Sequence, residues 1–142
     1  APQGIVCALI QGPEKDYKIC EDIAKVIYAP VSRSHRCSLE NIAVLEPALS
    51  ETIGATMAMA LRQATDRAIS MGVPEAAAHD FILGHLKIEL AIAFGIFPEG
   101  RFSDGALMAI DKAQSVVFQP DWLDKVFDLA AIKKSVTEIC DG

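Results

Sequence analysis

Clustered positive charge is missing from this sequence. It has 13 Lys and Arg against 19 Asp and Glu, a formal net charge of −6. Phosphate recognition needs grouped cations, so nucleic acid is excluded as a main partner. Cysteine is sparse as well: Cys7, Cys20, Cys37 and Cys140 are far apart, with no C-x-x-C pair. That pattern reads as reduced thiols in a cytoplasmic protein, and neither as a zinc site nor as a disulfide framework. No uncharged apolar run is long enough for a membrane span, and no secretory or targeting signal is visible. The catalytic signatures that declare themselves in a sequence are absent too. There is no nucleotide-binding glycine loop, no Ser/His/Asp order and no H-E-x-x-H. The Glu-x-x-His pairs of di-iron bundles are lacking, which argues against a ferritin-like centre.

What is present is 142 residues, 51% hydrophobic and 23% charged, enough for one globular domain with its own core. The chain opens Ala-Pro-Gln without an initiator Met, so it reads as processed or as a piece of something longer. Its organising stretch is Ser38 to Met71. Ile42, Leu45, Leu49, Ile53, Met57, Ala60, Ala64 and Ala68 recur at spacings of three and four, the stripe of a helix. Ser38 stands at an N-cap position, and Gly72-Val73-Pro74 supplies the stop. The opposite face, with Val44, Ala48, Ala55, Ala58 and Met59, is also apolar or small. A helix apolar all round is a buried central helix or a membrane span. Asn41, Glu46, Pro47, Ser50 and Glu51 in its first half exclude the span.

Around this helix the chain is simple. Gly4–Ile10 is a short apolar run bounded by Gln11-Gly12-Pro13, a strand buried on both faces and the only strand expected. A strand cannot stand alone, so its sheet or a partner must lie elsewhere. Helices are expected over Asp16–Tyr28, Glu75–Phe94, Gly105–Val117 and from Asp128 or Leu129 to Ile139. Val31–Cys37 reads as a polar connector, Pro120-Asp-Trp-Leu as a turn, and Ser103-Asp104 as a helix cap. The fold class is mainly α: an all-helical domain preceded by a single strand.

Few residues here could carry chemistry. Glu46 interrupts the apolar stripe, where a bare carboxylate is costly unless paired, protonated or bound to metal. At 100° per residue Glu51 lies about 140° round an α-helix from Glu46, so the two face apart unless Pro47 bends the helix. Ser50, four residues on, shares the side of Glu46. The plain alternative is that each glutamate pairs with Arg33, Arg36 or Arg62, or is simply exposed near the helix start. His85 sits on the apolar face of the second long helix beside Gly84, where a hydrogen-bonded core histidine is the commoner outcome. His35 and His79 read as exposed, and Arg33-Ser-His-Arg36 as a solvated cluster.

Four stretches carry a resemblance: Ala8–Glu14 (ALIQGPE), Ala24–Pro30 (AKVIYAP), Leu45–Thr52 (LEPALSET) with Ala55-Thr56, and Gly72-Val-Pro through Ala78, Asp80-Phe81 and Gly84-His85. Together, over about Gly4 to Ile139, they resemble the C-terminal half of phosphogluconate dehydrogenase-like oxidoreductases, in the branch that includes D-apionate oxidoisomerase. The resemblance implies a 6-phosphogluconate dehydrogenase C-terminal-like domain. Residues 1–32 would be the end of the cofactor-domain sheet with a connecting helix, and 33–142 a helical substrate and dimerisation domain. NAD or NADP would be held by an N-terminal Rossmann domain outside this chain, so no residue here is expected to bind the cofactor, and the fragment alone should be inactive. Glu46, Glu51 and His85 are implied as catalytic residues, Glu46 and Glu51 as ligands to a divalent metal, and Ser50 and His85 as substrate contacts. The implied reaction is oxidation of a hydroxyl of a sugar acid, with metal-assisted isomerisation, in a homodimer. The competing expectation is a stand-alone helical interaction module whose glutamates only form structural pairs.

Overall fold

The computed structural model describes residues 1–141, and of Ile139 and Cys140 the backbone alone, so the Cys140 thiol expected above lies outside the described residues. The chain forms two compact units, residues 1–54 with residues from 125 onward, and residues 55–124.

The first unit opens with β1 (Gln3–Cys7), α1 (Glu14–Ile27) and β2 (Val31–Arg36). β1 and β2 pair in parallel from Gly4↔Arg33 to Cys7↔Arg36, with an irregularity between Gln3 and Gly4. Parallel neighbours need a crossover, and α1 supplies it. The expected connector over residues 31–37 is therefore a strand. Its residues after Val31 are Ser, Arg, Ser, His and Arg, a polar run without the alternation that betrays a strand. Backbone pairing and side-chain bonds hold it instead: the Ser32 hydroxyl donates to the Gln3 carbonyl at 3.1 Å, and the Cys37 amide to the Cys7 carbonyl at 2.9 Å.

α1 is pinned onto β2 by charge. Arg36 forms a bidentate pair with Glu14 and lies over the Tyr17 ring, 4.2 Å from its centre. Glu21 accepts from Lys18 at 3.1 Å and Lys25 at 3.0 Å. The Ser34 hydroxyl, then Lys25 and Lys18, hold the Glu21 carboxyl down at about 2. Tyr17 is the buried residue of α1.

The long helical run is present as 32 residues, Leu39–Ser70. It is not one α-helix. α2 (Leu39–Ala43) begins at a reciprocal cap, in which the Ser38 hydroxyl accepts from the Asn41 amide and the Asn41 side chain accepts from the Ser38 amide. A π-helical segment follows, Val44–Ala55, and then α3 (Thr56–Ser70). Pro47 lies inside the π segment. A proline ring pushes against the carbonyl four residues back and offers no N–H to it. Handing the bonds on to the fifth residue widens the turn and relieves that clash, which accounts for π winding here. α7 (Leu129–Asp141), begun by Asp128 accepting from the Ala131 amide at 2.8 Å, lies against α2. Pro47, Ala48 and Ile132 are buried in this unit.

The second unit starts with α3, which stops at Gly72, where φ is +103° and the Val73 amide reaches back to the Ala68 carbonyl. α4 (Glu75–Ala93) packs on α3, and α5 (Asp104–Val117) is capped by the Ser103 hydroxyl on the Ala106 amide. A five-residue helix, α6 (Trp122–Val126), stands where a turn was expected. The expectation of a helix buried all round does not hold. Along the long run Pro47, Ala48 and Thr65 are buried, while Leu39 and Met59 are more than half exposed; on α4, Ala78 is buried and Phe81, Leu83, Ile88, Leu90 and Phe94 are more than half exposed. A sequence pattern reports what a face avoids, water, and not which molecule covers it.

Candidate functional site

The π segment positions the two carboxylates. In an α-helix residues five apart point about 140° from one another. In a segment bonded from each residue to the fifth, they lie on neighbouring turns of one side. Glu46 and Glu51 are five apart, and both line one pocket of about 260 Å³ with Leu39, Ile42, Ala43, Pro47 and Val136. Convergence thus comes from winding, where the sequence pointed to a bend at Pro47. Ser50, expected beside Glu46 by α-helical spacing, is exposed and is not among the pocket's lining residues. The lining is otherwise apolar. Val136 reaches the pocket from α7, far along the chain, and no pattern in the sequence joins it to Glu46.

Both glutamates are exposed rather than sunk in a core. Two of the three arginines considered as their partners are engaged elsewhere: Arg36 with Glu14, and Arg62 with Asp66 at 2.9 Å. Two carboxylates sharing a pocket without a cation form a centre of negative charge suited to a hard divalent ion or to accepting a proton. Among the described residues no group of three or more His, Cys, Asp or Glu could hold a metal. Glu46 and Glu51 bring two oxygen-bearing groups to one pocket, so an ion held there would take its other donors from substrate, water or another part of the protein.

His85 belongs to the second unit. It is exposed on α4, where the sequence suggested the middle of a packed face. Its Nδ1 donates to the Phe81 carbonyl at 2.9 Å, since a carbonyl can only accept, and its ring stacks on Phe81 with centres 4.1 Å apart. The neutral ring then carries its lone pair on Nε2, the form of a base or ligand. Gly84 beside it has nothing within 4 Å of where a Cβ would stand. His79, expected to be exposed, is half-buried, and its Nε2 has no hydrogen-bond partner among the described residues. It lines a groove of about 290 Å³ between α3 and α4 with Arg62 and Thr65. One residue at the first site escaped the sequence reading: Thr52, whose hydroxyl donates to the Pro47 carbonyl at 2.6 Å. The signal available was its place five residues after a helical proline.

Comparison with known proteins agrees with this architecture. Residues 1–140 match the family described as Phosphogluconate dehydrogenase (decarboxylating) C-term. A D-apionate oxidoisomerase of Cupriavidus necator is 45% identical over 139 residues, covering 98% of this chain and 50% of that protein. A D-apionate oxidoisomerase of Rhizobium rhizogenes is 46% identical over the same shares of both. Among solved structures, a semialdehyde dehydrogenase NAD-binding protein from Cupriavidus necator, crystallised in complex with calcium and NAD, superposes with a TM-score of 0.92. It is 45% identical, over 98% of this chain and 50% of that one. A crystal structure from Jannaschia sp. CCS1 gives 0.79 at 37% identity, over 92% of this chain and 46% of that one. The chain spans about half the length of the curated relatives it matches. By sequence over nearly its whole length and by fold, it belongs to the phosphogluconate dehydrogenase C-terminal family.

Proposed function

We propose that this chain is the substrate-binding and dimerisation domain of an NAD(P)-dependent oxidoreductase that oxidises a hydroxyl of a sugar acid and assists its isomerisation with a divalent metal. The observation that carries the reading is the pairing of Glu46 and Glu51 on one pocket, with no ion pair to either carboxylate among the described residues. Support comes from the relatives named D-apionate oxidoisomerase and from the related structure that contains calcium and NAD. D-apionate is accordingly the first substrate to test.

Bound NAD(P)+ would supply the hydride acceptor, and a divalent ion would polarise substrate oxygens. This chain's part is to bind and to move a proton. One of the two carboxylates takes the hydroxyl proton as the carbon gives up its hydride, leaving a carbonyl. Both carboxylates would hold the divalent ion, which would fix the substrate's oxygens for group migration. Ser50 donates to, or accepts from, a substrate hydroxyl. The exposed apolar residues of α4 form the surface against which a second copy packs, since large uncovered apolar patches mark interfaces.

The test is made in the full-length enzyme. Glu46→Gln and Glu51→Gln are each expected to lower metal content and to cut turnover of D-apionate about 100-fold or more. Variants that keep both metal content and turnover would sink the reading and leave a helical interaction module.

A further inference from the structure

We propose that Thr52 is a positioning residue, whose hydroxyl holds the π turn on which Glu46 and Glu51 share their pocket. The inference rests on the proposed role of those two carboxylates. Threonine on a helix ordinarily bonds back to the carbonyl three or four residues earlier. Two other threonines of this chain do so: Thr65 donates to the Leu61 carbonyl at 2.8 Å, and Thr137 to the Lys133 carbonyl at 3.1 Å. Thr52 alone of the three reaches five residues back, to Pro47, and makes the shortest bond at 2.6 Å. Its reach follows the winding of the π segment, one residue longer per hydrogen-bonded ring than an α-helix.

The positions explain why this bond matters. Pro47 and Thr52 each directly follow one of the two glutamates, so the hydroxyl clamps the two turns that carry them. Without the clamp, the segment's competitor is an α-helical register after Pro47. That register returns the carboxylates to about 140° apart and dissolves the shared pocket. Thr52 makes no claim on substrate or metal itself. It acts through Glu46 and Glu51.

Calcium alone is titrated calorimetrically into the full-length enzyme, and kcat and KM are measured alongside. Thr52→Val removes the donor at nearly constant shape, Thr52→Ser keeps it, and Thr52→Ala replaces the valine variant should that one fail to fold. Loss of a residue that orients ligands costs about 10- to 100-fold in metal affinity, so Thr52→Val should bind calcium at least about tenfold more weakly. Thr52→Ser should stay within about twofold of the parent, because its hydroxyl can make the same bond. Unchanged calcium affinity in Thr52→Val, or a serine variant as impaired as valine, overturns the proposal. Glu46→Gln and Glu51→Gln run beside them separate the two possible failures. If the glutamine variants lose calcium and Thr52→Val does not, only the role of Thr52 falls. If the glutamine variants bind calcium normally, the site reading falls and takes this one with it.

Discussion

At Gly72 the backbone takes φ +103° to end α3, and no atom lies within 4 Å of where a Cβ would stand. The cost of a side chain there is purely conformational. Gly72→Ala should lower stability by about 1–2 kcal/mol, read as a shift of the denaturant midpoint with no change in slope. This position was legible in the sequence, because Gly-Val-Pro after a helical stripe has few other meanings. The carboxylates were legible as residues, and as a pair only through a bend at Pro47 or through the family resemblance. Glu46 and Glu51 drew attention for the apolar company they keep, but the 100° of an α-helix turned them apart. His85 was legible only as a histidine beside a glycine. Its ring orientation depends on the Phe81 carbonyl and ring, and nothing in residue identity announces that bond.

At the scale of the element, the π segment is the decisive feature. Pro47→Ala restores an N–H and removes the ring that presses on the preceding turn. It should let an α-helical register form, with little loss or a gain in thermal midpoint, while turnover in the full-length enzyme falls about tenfold as the carboxylates diverge. A fall in stability together with unchanged turnover would refute that account. α1 and β2 make a separate prediction. The carboxyls of Glu14, Asp22 and Glu21 are all held below their ordinary range by hydrogen bonds, from Arg36, from Lys18, and from Ser34 with Lys25 and Lys18 respectively. Groups with a depressed folded value stabilise fully above the unfolded value and lose that contribution as pH falls through the folded one. For Glu21 the window runs from its ordinary 4.5 down to about 2. Acid unfolding followed by circular dichroism should show a component in that window that Glu21→Gln removes.

For the whole molecule, the uncovered apolar faces set the expectations. β1 has one neighbour, β2, in the sheet described. Large apolar residues remain exposed on α4, among them Phe81, Leu83, Ile88, Leu90 and Phe94. The 142-residue chain by itself should show no saturable NAD binding by fluorescence, while the full-length enzyme should bind it. Sedimentation of the full-length enzyme should give a dimer, and Leu90→Glu should shift it toward monomer by placing a charge where an apolar face packs. A full-length monomer unaffected by that change would remove dimerisation from the proposed function.

The sequence by itself determined the longer helices, their caps and stops, the place of the first strand and the family. Those follow from periodicity, from local hydrogen-bonding chemistry at Ser38, Gly72 and Ser103, and from motifs contiguous in the chain. Only the tertiary structure decided the second strand, because Val31–Arg36 owes its conformation to pairing with β1 and not to its own polar residues. It alone decided the winding at Pro47, since one proline fits a kink, a helix end or a wider turn until the neighbouring packing selects among them. It decided too that Glu46, Glu51 and Val136 meet at one pocket. That meeting depends on a register shift of one residue and on a helix more than 80 residues away. Periodicity carries neither, because it describes each element along its own axis and is silent on what stands beside it.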